Sequence, residues 1–436
     1  MAVSTTEKYT MRKVSWRLVP FLMLLYFVAY LDRVNVGFAA LTMNRDIGLS
    51  DAAFGLGAGI FFIGYFLFEV PSNIILHKVG ARRWIARIML TWGLVSACMA
   101  FVQGPVSFYI LRFLLGVAEA GFFPGIILYL SYWFPGRYRA GIIAMFMAAV
   151  PLSIALGSPL SGWLLTLDGW LGLKGWQWLF LLESAPAIML GVAVLFFLTD
   201  KPEKATWLTY VQRQWLSKTM QTEQRQSAQS KHSHSALRAL INPRILVLAM
   251  VYFGTSAGLY TLGIWAPKLL NEFSLSAVEI GLFNAVPPVF AVLAMVYWGR
   301  HSDRTQERAW HVFGACILAA AGLLLASSST SLLMVLLALV IVNIGVSSAK
   351  APLWAMPAQF LSGRGAAAGI AAINSIGNLG GFFGPTFIGY IKSATGSYAW
   401  GLIGVAISLM VSACLILIVA RRPPSESVGH SVLILK

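Results

Sequence analysis

The chain has 436 residues, 58% of them hydrophobic and only 11% charged, with 32 Lys and Arg against 16 Asp and Glu for a net charge of +16. Soluble domains carry about 25% charged residues, so a water-soluble globular enzyme is excluded, and repeated apolar runs joined by short basic loops describe a polytopic membrane protein. The basic excess suggests nucleic acid only until its placement along the chain is considered.

The opening "MAVSTTEKYTMRKVSW" is basic, and the apolar run behind it is too long for a signal sequence and lacks a small-residue cleavage site. A retained first span is expected. Runs that fit a hydrocarbon core of about 30 Å follow at roughly 18–43, 53–76, 84–103, 106–131, 138–166 and 176–198. A polar segment from Asp200 to about Asn242 comes next, and its Gln, Ser and His content, with His232 and His234, reads as a solvated linker rather than a metal site. Six more runs fall at 244–270, 278–299, 310–327, 330–352, 365–391 and 397–420. The expected organisation is an N-terminal six-helix bundle at 1–200, a cytoplasmic linker at 201–242, a C-terminal six-helix bundle at 243–421 and a cytoplasmic tail at 422–436.

Arg33, Arg112 and Lys350 fall inside spans, and only Arg45, Lys174, Lys268 and Lys392 fall on the side reached after an odd number of crossings. The other Lys and Arg lie on the side of the two termini. By the positive-inside rule both termini are cytoplasmic, and the basic excess reflects topology and lipid headgroups, not a nucleic-acid surface. Cys98, Cys316 and Cys414 all lie in predicted spans, with no disulfide framework and no CxxC pair.

The halves repeat. A shift of 226 places Asn73, His77 and Lys78 on Gly299, Asp303 and Arg304, and Pro159 on Pro385. A duplicated six-span unit is a layout of secondary transporters, which bind substrate between the halves near the bilayer midplane.

Charges inside spans then stand out: Asp32, Arg33, Glu69, Arg112, Glu119, Glu183 and Lys350. Such residues face a bundle interior or a wet cavity and pair there. Arg112 and Glu119, seven residues apart, share a helix face about 10 Å apart along the axis, so they can line one cavity at two depths. Tyr65 and Glu69 share a face of the second span, where Glu69 reads as a helix-end contact or a site residue. Lys350 sits in "VSSAKAPLWAMP", where Pro352 and Pro357 are expected to break the helix. It needs an anion, either an internal carboxylate or the substrate. Arg112 and Lys350 together would clamp a molecule with two anionic groups.

The segment "GRHSDR" resembles the Gly-x-x-x-Asp-Arg loop motif of the major facilitator superfamily. "YLDRVNVGFA", "FFIGYFLFEVPSNIIL", "RFLLGVAEAGFFPG" and "AAINSIGNLGGFFGP" together resemble its anion:cation symporter family over nearly the whole chain. That resemblance implies an all-α membrane fold of twelve helices in two pseudo-symmetric six-helix bundles. It implies substrate contacts at Arg112, Tyr65, Trp354 and Asn374, and at Arg33 as either a substrate or a gating arginine. It implies proton-coupling roles for Asp32 and Glu119, whereas Glu183 is expected to make a helix-packing hydrogen bond. Gating is expected of Asp303 and Arg304 in the second half, and of His77, Lys78, Arg82 and Arg83 in the first, where His77 stands in place of the acid.

The expected activity is proton-coupled import of a small organic anion, a mono- or dicarboxylate, by alternating access in the inner membrane. No cofactor is expected beyond the proton as coupling ion, and the partners are the anion and the bilayer, with the protein working as a monomer. Proton-driven efflux of drugs or metabolites and a non-transporting receptor are the alternatives. A membrane enzyme is not expected, since the sequence lacks metal-ligand spacing, GxSxG and a phosphate loop.

Overall fold

The computed structural model describes residues 5–229, 242–357 and 363–420, and these are helices and short connections. The N-terminal bundle holds α1 (Thr5–Ala39), α2 (Asp51–Val79), α3 (Ala81–Cys98), α4 (Pro105–Glu119), α5 (Phe122–Trp133), α6 (Gly136–Met147), α7 (Ala149–Leu164) and α8 (Gly175–Phe197). Then come α9 (Tyr210–Gln229), inside the expected linker, and the C-terminal set. That set is α10 (Pro243–Asn271), α11 (Ala277–Thr305), α12 (Ala309–Ser328), α13 (Leu332–Ala355), α14 (Gly363–Asn378), α15 (Gly380–Thr395) and α16 (Ala399–Ala420). His232, His234 and the tail at 422–436 lie outside the described residues.

Among the described residues, 11 helical segments are long and apolar enough to cross a membrane, with α4–α5 and α6–α7 each counted as one. They correspond to all the expected spans but one. The run expected at 365–391 is instead two 16-residue helices, α14 and α15, meeting at Leu379 in the glycine-rich "GNLGG". Proline explains two other interruptions. Pro124 would clash with the carbonyl of Ala120, and Pro151 with that of Met147, four residues back; α4 and α6 end at or just before those points. Pro352 corrects the expectation: α13 runs through it and ends at Ala355, two residues before Pro357. One missing hydrogen bond in a packed membrane helix is tolerated.

Within the first half α3 packs on α8, α2 on α4, and α1 on α7 and α8; within the second, α12 packs on α13 and α16, and α10 on α14, α15 and α16. The halves are joined chiefly by α7 with α11, α2 with α15, and α1 with α10, and more lightly by α2 with α14. Small residues allow these seams, because lipid gives helices no hydrophobic reason to associate and close backbone approach must supply the attraction. A Cβ on Gly389 of α15 would run into the Asp51 carbonyl, and one on Gly162 of α7 into that of Ala277.

Four of the hydrogen bonds between the halves lie on one side. Ala52 N–H donates to Ser393 Oγ at 2.8 Å, Thr386 Oγ1 to the Gly55 carbonyl at 3.3 Å, and Asn284 to Ser158 at 2.9 Å; Lys268 pairs with Asp51. These lie at the ends of α2, α10 and α11 remote from the termini. Among the described residues, the bonds nearest the opposite side are those of Glu69. The two halves are therefore zipped at the far side and through the middle.

Candidate functional site

Asp32 and Arg33 are neighbours on α1, but successive residues on a helix point about 100° apart, and the two enter separate networks. Asp32 is buried and accepts from Trp92 Nε1 at 2.5 Å and Ser96 Oγ at 2.8 Å, both on α3, and from Asn35 Nδ2 at 3.1 Å. All three donors are neutral. Arg33 turns toward the seam, where it forms an ion pair with Glu119 of α4 and donates from Nη1 to the Tyr260 hydroxyl of α10 at 2.9 Å. Its guanidinium lies 5.0 Å from the Tyr30 ring, 5.3 Å from Phe61 and 5.4 Å from Tyr65. Tyr65 therefore borders the arginine with its ring.

Glu119 is the last residue of α4. Ala120 is extended and Gly121 takes a left-handed φ of 84° before α5 starts. That conformation strains any residue with a Cβ, and a Cβ there would also strike Ser72. One turn earlier, a Cβ on Gly116 would collide with the Phe61 carbonyl. The two glycines thus press α4 onto α2 and set Arg112 and Glu119 beside Phe61 and Tyr65.

Arg112 is 1% exposed. Among the described residues it makes one hydrogen bond, from Nη2 to the Ala58 carbonyl at 3.2 Å, and its Nε and Nη1 are buried without a partner. Its guanidinium lies 5.0 Å from the Phe61 ring, so Phe61 lies beneath both arginines. A buried guanidinium with two idle donors is costly.

The second half supplies Lys350, Trp354 and Asn374. Lys350 is half-buried on α13 and makes no hydrogen bond or ion pair among the described residues. Trp354, one turn on, stands edge-to-face with Tyr252, ring centroids 5.0 Å apart, and its Nε1 is buried without a partner among the described residues. Asn374 is engaged differently from expectation. Its Nδ2 donates to Glu69 Oε1 at 2.5 Å, and Ser375 Oγ donates to the other carboxylate oxygen at 2.8 Å. Glu69 is thus a bridge between the halves rather than a helix-end contact. Glu183 accepts from Ser161 Oγ at 2.6 Å inside the first bundle.

The loop residues stay within their own halves. Asp303 pairs with Arg308 at 2.6 Å, and Arg304 is exposed with no bond among the described residues. The His77 ring meets the Tyr132 hydroxyl at 3.3 Å, while Lys78 and Arg83 are exposed. The Arg82 N–H donates to Asp200 at 2.9 Å. Asp200, at the end of the sixth span, brings a carboxylate to this loop, where His77 stands for the expected acid. Sequence reasoning missed Tyr260, Ser375 and Asp200: hydroxyls are common in spans, and a pairing across more than a hundred residues leaves no spacing to read.

The chain matches the Major Facilitator Superfamily profile over residues 22–385. It is 66% identical over 418 residues to a "Putative tartrate transporter" of Agrobacterium vitis, covering 96% of this chain and 93% of that one. It is 44% identical over 417 residues to a "Quinolone resistance transporter" of Acinetobacter baumannii, covering 95% and 96%. Among solved structures, an inward-facing bacterial homologue of the human lysosomal transporter Spinster superposes with a TM-score of 0.75 at 17% identity, covering 93% of this chain and 96% of that one. These relatives are transporters, not enzymes. With its helices, its two joined bundles and this match, the chain is a multi-pass membrane transporter that belongs to the major facilitator superfamily.

Proposed function

We propose that the protein carries a small organic dianion, a tartrate-like dicarboxylate, into the cell together with protons. One observation carries this reading: among the described residues, Arg112 in the first half and Lys350 in the second form no ion pair. A molecule with a carboxylate at each end answers both, and hydroxyls between them suit Asn374 and Tyr65. The 66% relative named for tartrate supports the same chemistry.

The cycle follows from the Arg33–Glu119 pair. A proton on Glu119 cancels its charge and frees Arg33, which joins Arg112 in holding one carboxylate while Lys350 holds the other. Loss of the proton restores the pair and expels the anion. Asp32, held by neutral donors, is a second proton site. With the basic loops in the cytoplasm, the closed far side would face outward, which supports reading this arrangement as the inward-facing state of a monomer in the inner membrane.

Uptake of labelled tartrate, a sugar acid and an aromatic monocarboxylate into proteoliposomes tests this, with and without an inward proton gradient. Gradient-driven accumulation of the dianion is expected. Accumulation of none of the three would overturn the reading. The 44% quinolone-resistance relative favours efflux as the second reading; norfloxacin extrusion without carboxylate uptake would establish it instead.

A further inference from the structure

α1 begins well before the apolar run at residue 18, and this extension carries Arg12, Lys13 and Arg17. With Trp16, Phe197 and Trp207 these cations line an open cleft of about 610 Å3 at the side of the termini. No acidic side chain lines it, and none of the three joins a salt bridge among the described residues. Arg17 is held in place by rings rather than by a counter-charge: its guanidinium lies 4.8 Å from the Phe197 ring and 5.0 Å from that of Trp207. Such stacking positions a guanidinium while leaving its charge uncancelled. Its Nε is buried with no acceptor.

The rim shows what kind of anion fits. Tyr9 and Trp16, which line the cleft, are 61% and 75% exposed, and Phe196, next to Phe197 in the chain, is 83% exposed. Large aromatic residues bare at the end of a span belong at the lipid–water interface. A free anion in water gains nothing from such a rim, whereas a lipid meets the cations with its headgroup and the aromatics with its chains.

We propose that this cleft binds the phosphate headgroup of an anionic phospholipid in the cytoplasmic leaflet, with acyl chains running past Trp16 and Phe196. The site is separate from Arg112 and Lys350, and the inference does not depend on which molecule is transported.

Native mass spectrometry of the delipidated full chain, titrated with phosphatidylglycerol or phosphatidylcholine, tests the proposal. Retention of phosphatidylglycerol over phosphatidylcholine is expected. The double variant Arg12→Gln/Arg17→Gln should weaken that retention roughly tenfold or more. Lys201→Gln/Lys204→Gln removes the same charge from two exposed lysines in the loop of Trp207 and should leave it unchanged. If the arginine variant misfolds, Lys13→Gln at an exposed position should still cost roughly fivefold. Equal losses in the arginine and lysine double variants would mean unspecific surface attraction and overturn the proposal. So would equal retention of the two lipids, or displacement of phosphatidylglycerol by an equal concentration of inorganic phosphate.

Discussion

The first half of the molecule compensates most of its buried charge internally, and the second half does not. In the first, Arg33 has Glu119 and Asp32 has three neutral donors. In the second, Lys350 has no ion pair among the described residues, and Asn374 is spent on a carboxylate from the other bundle. On the proposed function, a duplicated fold has divided its labour: the first half would exchange a proton for the Arg33–Glu119 ion pair, and the second would present Lys350 to the substrate. Arg112 belongs by position to the first half, and on the same proposal its two unbonded donors would serve the substrate.

The sharpest way to break this contrast is at Glu119. Glu119→Gln cannot release a proton or pair with Arg33 as an ion. Accumulation against a gradient should be lost altogether, while exchange of labelled for unlabelled anion across the membrane persists. In the unaltered protein, uptake should rise as the outside pH falls, because protonation of the carboxylate releases Arg33. In the variant, exchange should be flat with pH. Proton-driven accumulation by Glu119→Gln would remove this residue from the coupling.

Arg112→Ala comes next. A hydrogen bond to a charged group contributes about 1.5–3 kcal/mol, so loss of two such donors should weaken anion affinity roughly a hundredfold or more. Binding followed by scintillation proximity would show it. Unchanged affinity would mean that the idle donors of Arg112 face something other than the substrate.

How much of this could be read in the sequence divides along the same line. Hydropathy located the spans because each is a local run, and it missed the break at Leu379 because glycines do not interrupt apolarity. The intramembrane charges were conspicuous because each is costly in lipid. Their partners were not. Arg33 sits beside Asp32 in the chain and pairs with Glu119, 86 residues away, because helix geometry turns neighbours apart. Glu69 looked like the end of a helix, and only the packing of α2 near α14 shows that it crosses to Asn374 and Ser375. The resemblance named Asn374, but the acid that holds it in this state follows from three-dimensional contact alone.

Lys350→Gln tests the second half by itself. If Lys350 answers the second carboxylate, KM for a dicarboxylate should rise roughly tenfold, the worth of one charge-assisted hydrogen bond. KM for a monocarboxylate should hardly change, because that molecule leaves Lys350 unanswered already. Equal increases for both would make Lys350 a contact to an invariant part of the substrate, or a structural cation, and the clamp would fail.

The smallest effect separates the seam from the surface. Lys268 of α10 and Asp51 of α2 form an ion pair between halves at the far end, whereas Lys392 and Glu272, 2.5 Å apart, both belong to the second half. Partly exposed pairs of this kind contribute about 0–1 kcal/mol. Asp51→Asn should therefore shift the balance between the two open states by no more than roughly fivefold, toward opening at the far side. Labelling of a cysteine introduced at Thr386, partly buried against Gly55 across the seam, should speed up accordingly. Glu272→Gln removes a pair of similar strength but leaves the labelling rate unchanged, because both its partners move together in either state. A similar acceleration in both variants would mean that local loosening, not separation of the bundles, exposes the seam.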